Sequence, residues 1–313
     1  MLPMYKEKRS FRSEFVPIRG LQYHVQVWDG TAENVALPPL VLVHGWMDVA
    51  ASYQFMIDAF SDAFATGRTI IAPDWRGFGK TGSAAVGERA DNYWFPDYLA
   101  DLDFLLDHYV QQTPVDLVGH SMGGNVAMIY AGVRPSRIRR VVNLEGFGLP
   151  ASKPAKAPAR YAKWMDELKS LQRGEMDLKA YDDVSGVARR LMKTNPRLSP
   201  DKAGWLASHW AQPDTSGKWK ILGEPGHKIT SANLYRADET LEIYKCITAP
   251  VLAVEALDDS LGKWYEGSYT LADYYERLKV VADARVAVIA DAGHMLHHDQ
   301  PGELAKMIEN FLN

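Results

Sequence analysis

A serine between glycines, Gly119-His120-Ser121-Met122-Gly123, follows the apolar run "VDLV" and precedes the small-residue segment "GNVAMIY". In this G-x-S-x-G spacing, glycines relieve crowding at a sharp strand-to-helix turn, leaving the serine hydroxyl exposed at the top of the strand. That arrangement presents a nucleophile, and Ser121 is the candidate. The plainer reading is a glycine-flanked helix start with Ser121 as its N-cap. Whether the rest of an acyl-transfer site accompanies the serine decides between them.

A serine hydroxyl is a poor nucleophile near neutral pH and needs an adjacent base. His294, in "VIADAGHMLHHDQP", follows a strand-like run and a glycine, where an imidazole can reach the carboxyl edge of a sheet. His297 and His298 compete by type but fall at the start of the expected last helix. The pattern H-x-x-H-H has no glutamate in the zincin positions and no nearby cysteine, so no metal site is expected there. The imidazole in turn needs a carboxylate to hold its tautomer. Asp259, in "VLAVEALDDSLGKW", is favoured, with Asp258 second and Glu145, in "VVNLEGFG", third. Asp259 gives the chain order Ser, Asp, His. Two backbone amides must receive the charge that develops on the acyl oxygen. The Met122 amide, directly after the nucleophile, is one, and Trp46, in "LVLVHGWMD", supplies the other; His44 shapes that loop.

The elements that must position these groups are legible as short apolar runs bounded by Gly, Pro or Asp. They are "LQYHVQVW", "LVLVHG", "TIIAPD", "VDLVGH", "RVVNLEG", "APVLAVEA" and "VAVIADA", with amphipathic crossovers at 92–112 and 124–133. Such runs fit strands buried on both faces of a sheet. The pattern predicts an α/β fold with a mostly parallel, doubly wound sheet. Alternation stops between 148 and 245, a stretch rich in Trp, Tyr and Arg that reads as an inserted helical cap. The expected domains are therefore a core of 1–147 plus 246–313 and a cap of 148–245.

A net charge of −4 and a pI near 6.1 provide no broad field for a polyanion, so no nucleic-acid partner is expected. A single cysteine, Cys246, excludes an intramolecular disulfide framework. With no apolar run of membrane-spanning length and no signal-like N-terminus, the cytoplasm is the expected compartment. "GFGKTG" ends like a phosphate-binding loop, but that loop requires glycine where Asp74 stands. The run is read instead as a rigid loop beside the active site.

Taken together, the strand followed by His44-Gly45-Trp46, "DWRGFGKTGS", "GHSMGGNVA", "LDDS" and "AGHMLHHDQP" resemble the α/β-hydrolase superfamily in order and spacing. The resemblance covers nearly all of the chain outside the cap and is nearest to serine-hydrolase-like and carboxylesterase members with a helical cap. It implies Ser121 as nucleophile, His294 as general base and acid, Asp259 as orienting acid, and Trp46 with Met122 as the oxyanion hole. Epoxide hydrolases and haloalkane dehalogenases of this fold carry an aspartate at the nucleophile position, so Ser121 argues against both.

The expected reaction is hydrolysis of a carboxylic ester through an acyl-enzyme, which calls for no cofactor. The partner is then a small-molecule ester of small to medium size, apolar or aromatic, and the assembly a monomer or homodimer. Phe147, Trp164, Trp205 and Trp210 are the candidate substrate-binding aromatics. Two alternatives use the same fold: a carbon–carbon bond hydrolase of ring-cleavage products, and a ligand receptor that signals through its cap.

Overall fold

The computed structural model describes residues 4–31, 37–82 and 90–313; Ser83, the last residue of the "DWRGFGKTGS" motif, lies outside them. All seven expected runs form strands of one eight-stranded sheet. In chain order the core strands are β1 (Arg12–Ile18), β2 (Leu21–Trp28), β3 (Leu40–Val43), β4 (Ile70–Pro73), β5 (Val115–His120) and β6 (Ile138–Leu144). Three short cap strands follow, β7 (Ala180–Tyr181), β8 (Ala211–Pro213) and β9 (Trp219–Ile221), and then the core resumes with β10 (Val251–Ala256) and β11 (Ala284–Ile289). The sheet order is β1-β2-β4-β3-β5-β6-β10-β11. Only β2 runs against its neighbours; the six strands from β4 to β11 are mutually parallel.

Strands β3, β4, β5 and β10 are buried along their whole length. Continuous burial is what a sheet covered on both faces requires, and it explains why these strands read as unbroken apolar runs. One apolar layer, including Val41, Leu117, Val126 and Tyr244, packs on one face. The other face carries Leu42, Val118, Val254 and Leu304. The helices Phe95–Val110 and Met122–Val133 supply two of the crossovers.

The strand β1 was not among the expected runs. Only Val16 and Ile18 of its seven residues are buried, while Arg12, Ser13, Phe15 and Pro17 are exposed; a charge and a proline are common on edge strands, where they discourage pairing with another chain.

Between β6 and β10 the chain forms a cap of helices that also carries the antiparallel ribbon β7-β9-β8. A cap core of Val187, Leu191, Leu206, Trp205 and Trp210 packs against Val49, Ala51 and Phe55 of the sheet domain. The helix Ala157–Gln172 differs, because none of its residues is buried. It is held by polar contacts at its edge, from Arg160 Nε to the Ser231 carbonyl at 2.6 Å and from the Thr230 N–H to Glu167 at 2.6 Å. Among the described residues no helix is long and apolar enough to cross a membrane.

Candidate active site

Parallel strands deliver their following loops to one edge, where ligands of open α/β sheets bind. Ser121 follows β5, the His44-Gly45-Trp46 loop follows β3, Glu145 follows β6, and His294 lies in the loop after β11. Ser121 sits at φ 53° and ψ −115°. A non-glycine residue in that region is strained, and such strain persists only where the surroundings over-determine it. They do so here. The Ser121 N–H donates to the Leu144 carbonyl at 2.8 Å, and its own carbonyl accepts from the Asn125 N–H at 3.0 Å.

The flanking glycines are demanded by space. A Cβ on Gly119 would lie 2.2 Å from the Gly123 carbonyl oxygen, and one on Gly123 would lie 2.0 Å from the carbonyl oxygen of Val43. Both obstacles are backbone and cannot rotate away. A Cβ on Gly45 would come within 3.1 Å of the Ser121 Cβ, which puts the loop after β3 directly against the nucleophile candidate.

His294 is held from three sides. Its carbonyl accepts from His120 Nε2 at 2.7 Å, so the residue before Ser121 grips the residue expected to be its base. The His120 and His294 rings lie 4.7 Å apart, and the Trp264 ring meets His294 edge-on at 4.3 Å. The third contact is with a carboxylate. His294 Nδ1 lies 3.2 Å from Glu145 Oε2, and Glu145 is 3% exposed.

Glu145, rather than Asp259, is the carboxylate that faces the His294 ring. Its other oxygen, Oε1, accepts from the Ala256 N–H at 2.7 Å, and Asn143 braces the turn by bonding both the N–H and the carbonyl of Gly146, at 3.0 and 2.8 Å. Asp259 is exposed and instead caps the helix Ser260–Tyr265, accepting from the Gly262 N–H at 2.7 Å. Asp258 pairs with Arg197 of the cap at 3.0 Å. The physical reason is distance along the chain. Glu145 directly follows the last residue of β6, whereas Asp259 lies three residues past the end of β10, where the chain has already turned outward into the next helix.

Burial pushes the Glu145 carboxyl up to about 7, offset by the bonds from Ala256 and Ser260 and reinforced by the charge of Asp259. Burial also pushes the His294 imidazole down to about 4. At neutral pH His294 is thus uncharged, with Nδ1–H directed at Glu145 and the Nε2 lone pair available as a base.

Met122 opens the helix Met122–Val133, so its N–H is among those that helix geometry leaves without an intrahelical acceptor. Trp46 is 52% exposed, and its indole Nε1 donates to the carbonyl of His227 in the cap at 3.2 Å. His227 is itself clamped between Phe78 and Tyr93, with ring centroids 3.7 Å away on each side. His44 is buried as a loop-shaping residue, accepting from the Trp75 N–H at 2.9 Å. The glycine-rich loop after β4 cradles its own carboxylate rather than presenting its amides outward. The Lys80 N–H donates to Asp74 at 2.9 Å, and a Cβ on Gly79 would lie 2.0 Å from that carboxylate.

The aromatic candidates divide. Trp205 and Trp210 belong to the cap core, and their indoles donate to Glu7 at 2.9 Å and Asp48 at 3.0 Å. Phe147 is buried in the main core against Tyr274, with ring centroids 5.1 Å apart. All three are buried and packed rather than open at the edge of the sheet. Trp164 is half-buried on the helix that buries nothing. Trp264, which touches His294 and is 50% exposed, was missed. Its place in the helix after the doubled aspartates is the one sequence signal that points to it. A cavity of about 260 Å³ lies apart from these residues, lined by cap positions that include Leu178, Gln212 and Glu224.

Residues 38–301 match the model of the alpha/beta hydrolase fold family. The chain belongs to that family. As a member, it is 24% identical to a serine hydrolase-like protein of Danio rerio, an alignment covering 100% of this chain and 94% of the other. It is 26% identical to an sn-1-specific diacylglycerol lipase of Xenopus laevis over 91% and 82% of the respective chains. Among solved structures, a thioesterase domain from the curacin biosynthetic pathway superposes with a TM-score of 0.79 at 25% identity, covering 96% of this hydrolase-fold chain and 99% of that domain. Family and relatives alike support a hydrolase.

Proposed function

We propose that the protein is a serine hydrolase of carboxylic esters, with Ser121 as nucleophile, His294 as general base and Glu145 as the orienting acid. The observation that carries this reading is the Glu145–His294 pair at 3.2 Å, anchored beside a serine held at φ 53°. Ser121 Oγ attacks the acyl carbon while His294 Nε2 takes its proton, and the Trp46 and Met122 amides receive the oxyanion. The imidazolium, stabilised by Glu145, then protonates the departing alkoxide. Water activated by the same imidazole releases the acid and restores the serine.

The relatives' names support ester or thioester chemistry at this site, and the exposed Trp46 and Trp264 favour an apolar or aromatic acyl or alcohol group of small to medium size. Intact-mass measurement after fluorophosphonate treatment, run beside hydrolysis of p-nitrophenyl esters of graded chain length, tests the reading. A single adduct and turnover, both lost in Ser121→Ala, are expected. Absence of both in folded wild-type protein would overturn the assignment.

A further inference from the structure

Directly behind the catalytic edge, three buried side chains converge. Asp48, His120 and His297 each offer one ligating atom, and these atoms lie within 4.8 Å of one another. The residues are 3%, 2% and 0% exposed. Asp48 Oδ2, His120 Nδ1 and both ring nitrogens of His297 have no hydrogen-bond partner among the described residues. A buried polar atom without a partner is costly, and three of them, one from each side chain, converging within 4.8 Å call for a common occupant. Among the described residues no lysine or arginine pairs with Asp48; its nearest ionisable partner is His297, with Nε2 3.9 Å from Oδ2.

The remaining atoms of two of these side chains are already engaged in ways that aim the free ones inward. Asp48 Oδ1 accepts from Trp210 Nε1 at 3.0 Å and from the Ser52 hydroxyl. His120 Nε2 donates to the His294 carbonyl at 2.7 Å, which leaves Nδ1 as the lone-pair nitrogen. Metal-binding histidines and carboxylates are oriented in this manner by bonds to their outer atoms.

We propose that Asp48, His120 and His297 form a site for one divalent transition-metal ion of the zinc class. Two imidazoles and a carboxylate suit zinc or cobalt rather than calcium or magnesium, which take oxygen ligands. Two donors at about 2.0–2.1 Å from one zinc ion can lie up to about 4.2 Å apart, so the widest pair here needs to close by about 0.6 Å or less. The ion ties together the three catalytic loops. Asp48 follows Trp46 by two residues, His120 precedes Ser121, and His297 follows His294 by three. Its role is to lock the nucleophile turn, the oxyanion loop and the base loop to one point, and its binding does not depend on which bond the enzyme cleaves.

The test uses untagged, chelator-treated full-length protein titrated with Co²⁺ and followed by visible absorption, with Zn²⁺ displacement and thermal melting in parallel. One equivalent should bind with the visible bands of a low-symmetry site. Zn²⁺ should raise the melting temperature. His297→Gln and Asp48→Asn, checked for folding by circular dichroism, should each weaken binding by about tenfold or more. Wild-type crystals soaked in Zn²⁺ provide a measurement independent of any variant, with an anomalous peak expected among the three side chains. No stoichiometric uptake, equal binding by wild type and both folded variants, or no peak at this position would each overturn the proposal and leave the cluster to a buried water.

Discussion

The carboxylate of Glu145 faces His294 Nδ1 at 3.2 Å, while Asp259 accepts from the Gly262 N–H at 2.7 Å at the start of a short helix. The two acids thus have separate tasks, and separate substitutions distinguish them. Glu145→Gln should lower kcat by about 10³–10⁴-fold with little change in melting temperature, since loss of the orienting carboxylate disrupts the tautomer of the base. Asp259→Ala should leave kcat within about twofold and cost about 1 kcal/mol of stability, the usual value of a helix N-cap. Ester hydrolysis and urea denaturation on both variants check this, and the reverse pattern would restore Asp259 as the acid.

The pH dependence follows from the same pair. Activity needs His294 neutral and Glu145 ionised, so kcat/KM should rise as pH passes through about 7 with Glu145 and should be lost near pH 4 with His294. In Glu145→Gln the upper rise should vanish. Stability has opposing contributions. The raised Glu145 makes stability fall from its unfolded value near 4.5 up to about 7, whereas the lowered His294 makes stability rise from about 4 to 6.5. The two slopes oppose each other over the shared window. Denaturation of Glu145→Gln should therefore gain a stability that climbs with pH over the His294 window more steeply than in wild type.

Backbone crowding at the nucleophile turn gives a third expectation. Gly123→Ala would place a Cβ 2.0 Å from the Val43 carbonyl oxygen, so it should destabilise by about 3 kcal/mol and lower the yield of folded protein. Gly204→Ala serves as the contrast, because that helical position has no atom within 4 Å of the added Cβ. It should be neutral or stabilising by up to about 1 kcal/mol. Equal urea midpoints for the two variants would remove the steric account of the turn.

Trp46 joins the loop after β3, the proposed oxyanion loop, to the cap through its indole bond to His227. Trp46→Phe keeps the ring and the backbone amide but removes that bond. A fall in kcat of about tenfold is expected, smaller than the ~10²–10³ lost when an oxyanion donor is deleted. An unchanged kcat would mean that the indole contact does not position the loop.

Trp205 and Trp210 should behave as packing residues. Trp205→Leu should lower the melting temperature while leaving the preference among p-nitrophenyl ester chain lengths unchanged, and Trp264→Ala should shift that preference. A changed chain-length profile in Trp205→Leu alone would return it to the pocket.

Much of this architecture is readable from types and spacing, and the exceptions have physical causes. Strands buried on both faces announce themselves as apolar runs, whereas β1 hides because only two of its seven residues are buried and Arg12, Ser13, Glu14 and Pro17 interrupt any apolar run. The nucleophile turn and the base carry local signals, a glycine-flanked serine and a post-strand histidine. The acid has none. A carboxylate at the end of β6 or in the loop after β10 satisfies the same spacing, and only the three-dimensional contact between Glu145 and His294 Nδ1 separates them. The cap tryptophans could have been assigned to a core, since Ala203, Leu206, Ala207 and Trp210 recur at helical spacing on one buried face. The link between His297 and Asp48, which lie on different loops, is visible only in three dimensions.

The Ser121 N–H reaches back to the carbonyl of Leu144, the residue before Glu145, and His120 lies in register with Leu144. Ser121 and Glu145 are therefore neighbours on one hydrogen-bonded ladder, their separation set by the spacing of two adjacent strands rather than by the conformation of a loop. Relieved of that duty, the segment after β10 is free to vary in length and sequence without disturbing the chemistry. In this chain it has taken up a different occupation, reaching through Asp258 to Arg197 of the cap. Contacts to a substrate can then be altered through the cap and this neighbouring loop together, while the distance between Ser121 and Glu145 stays fixed by the sheet.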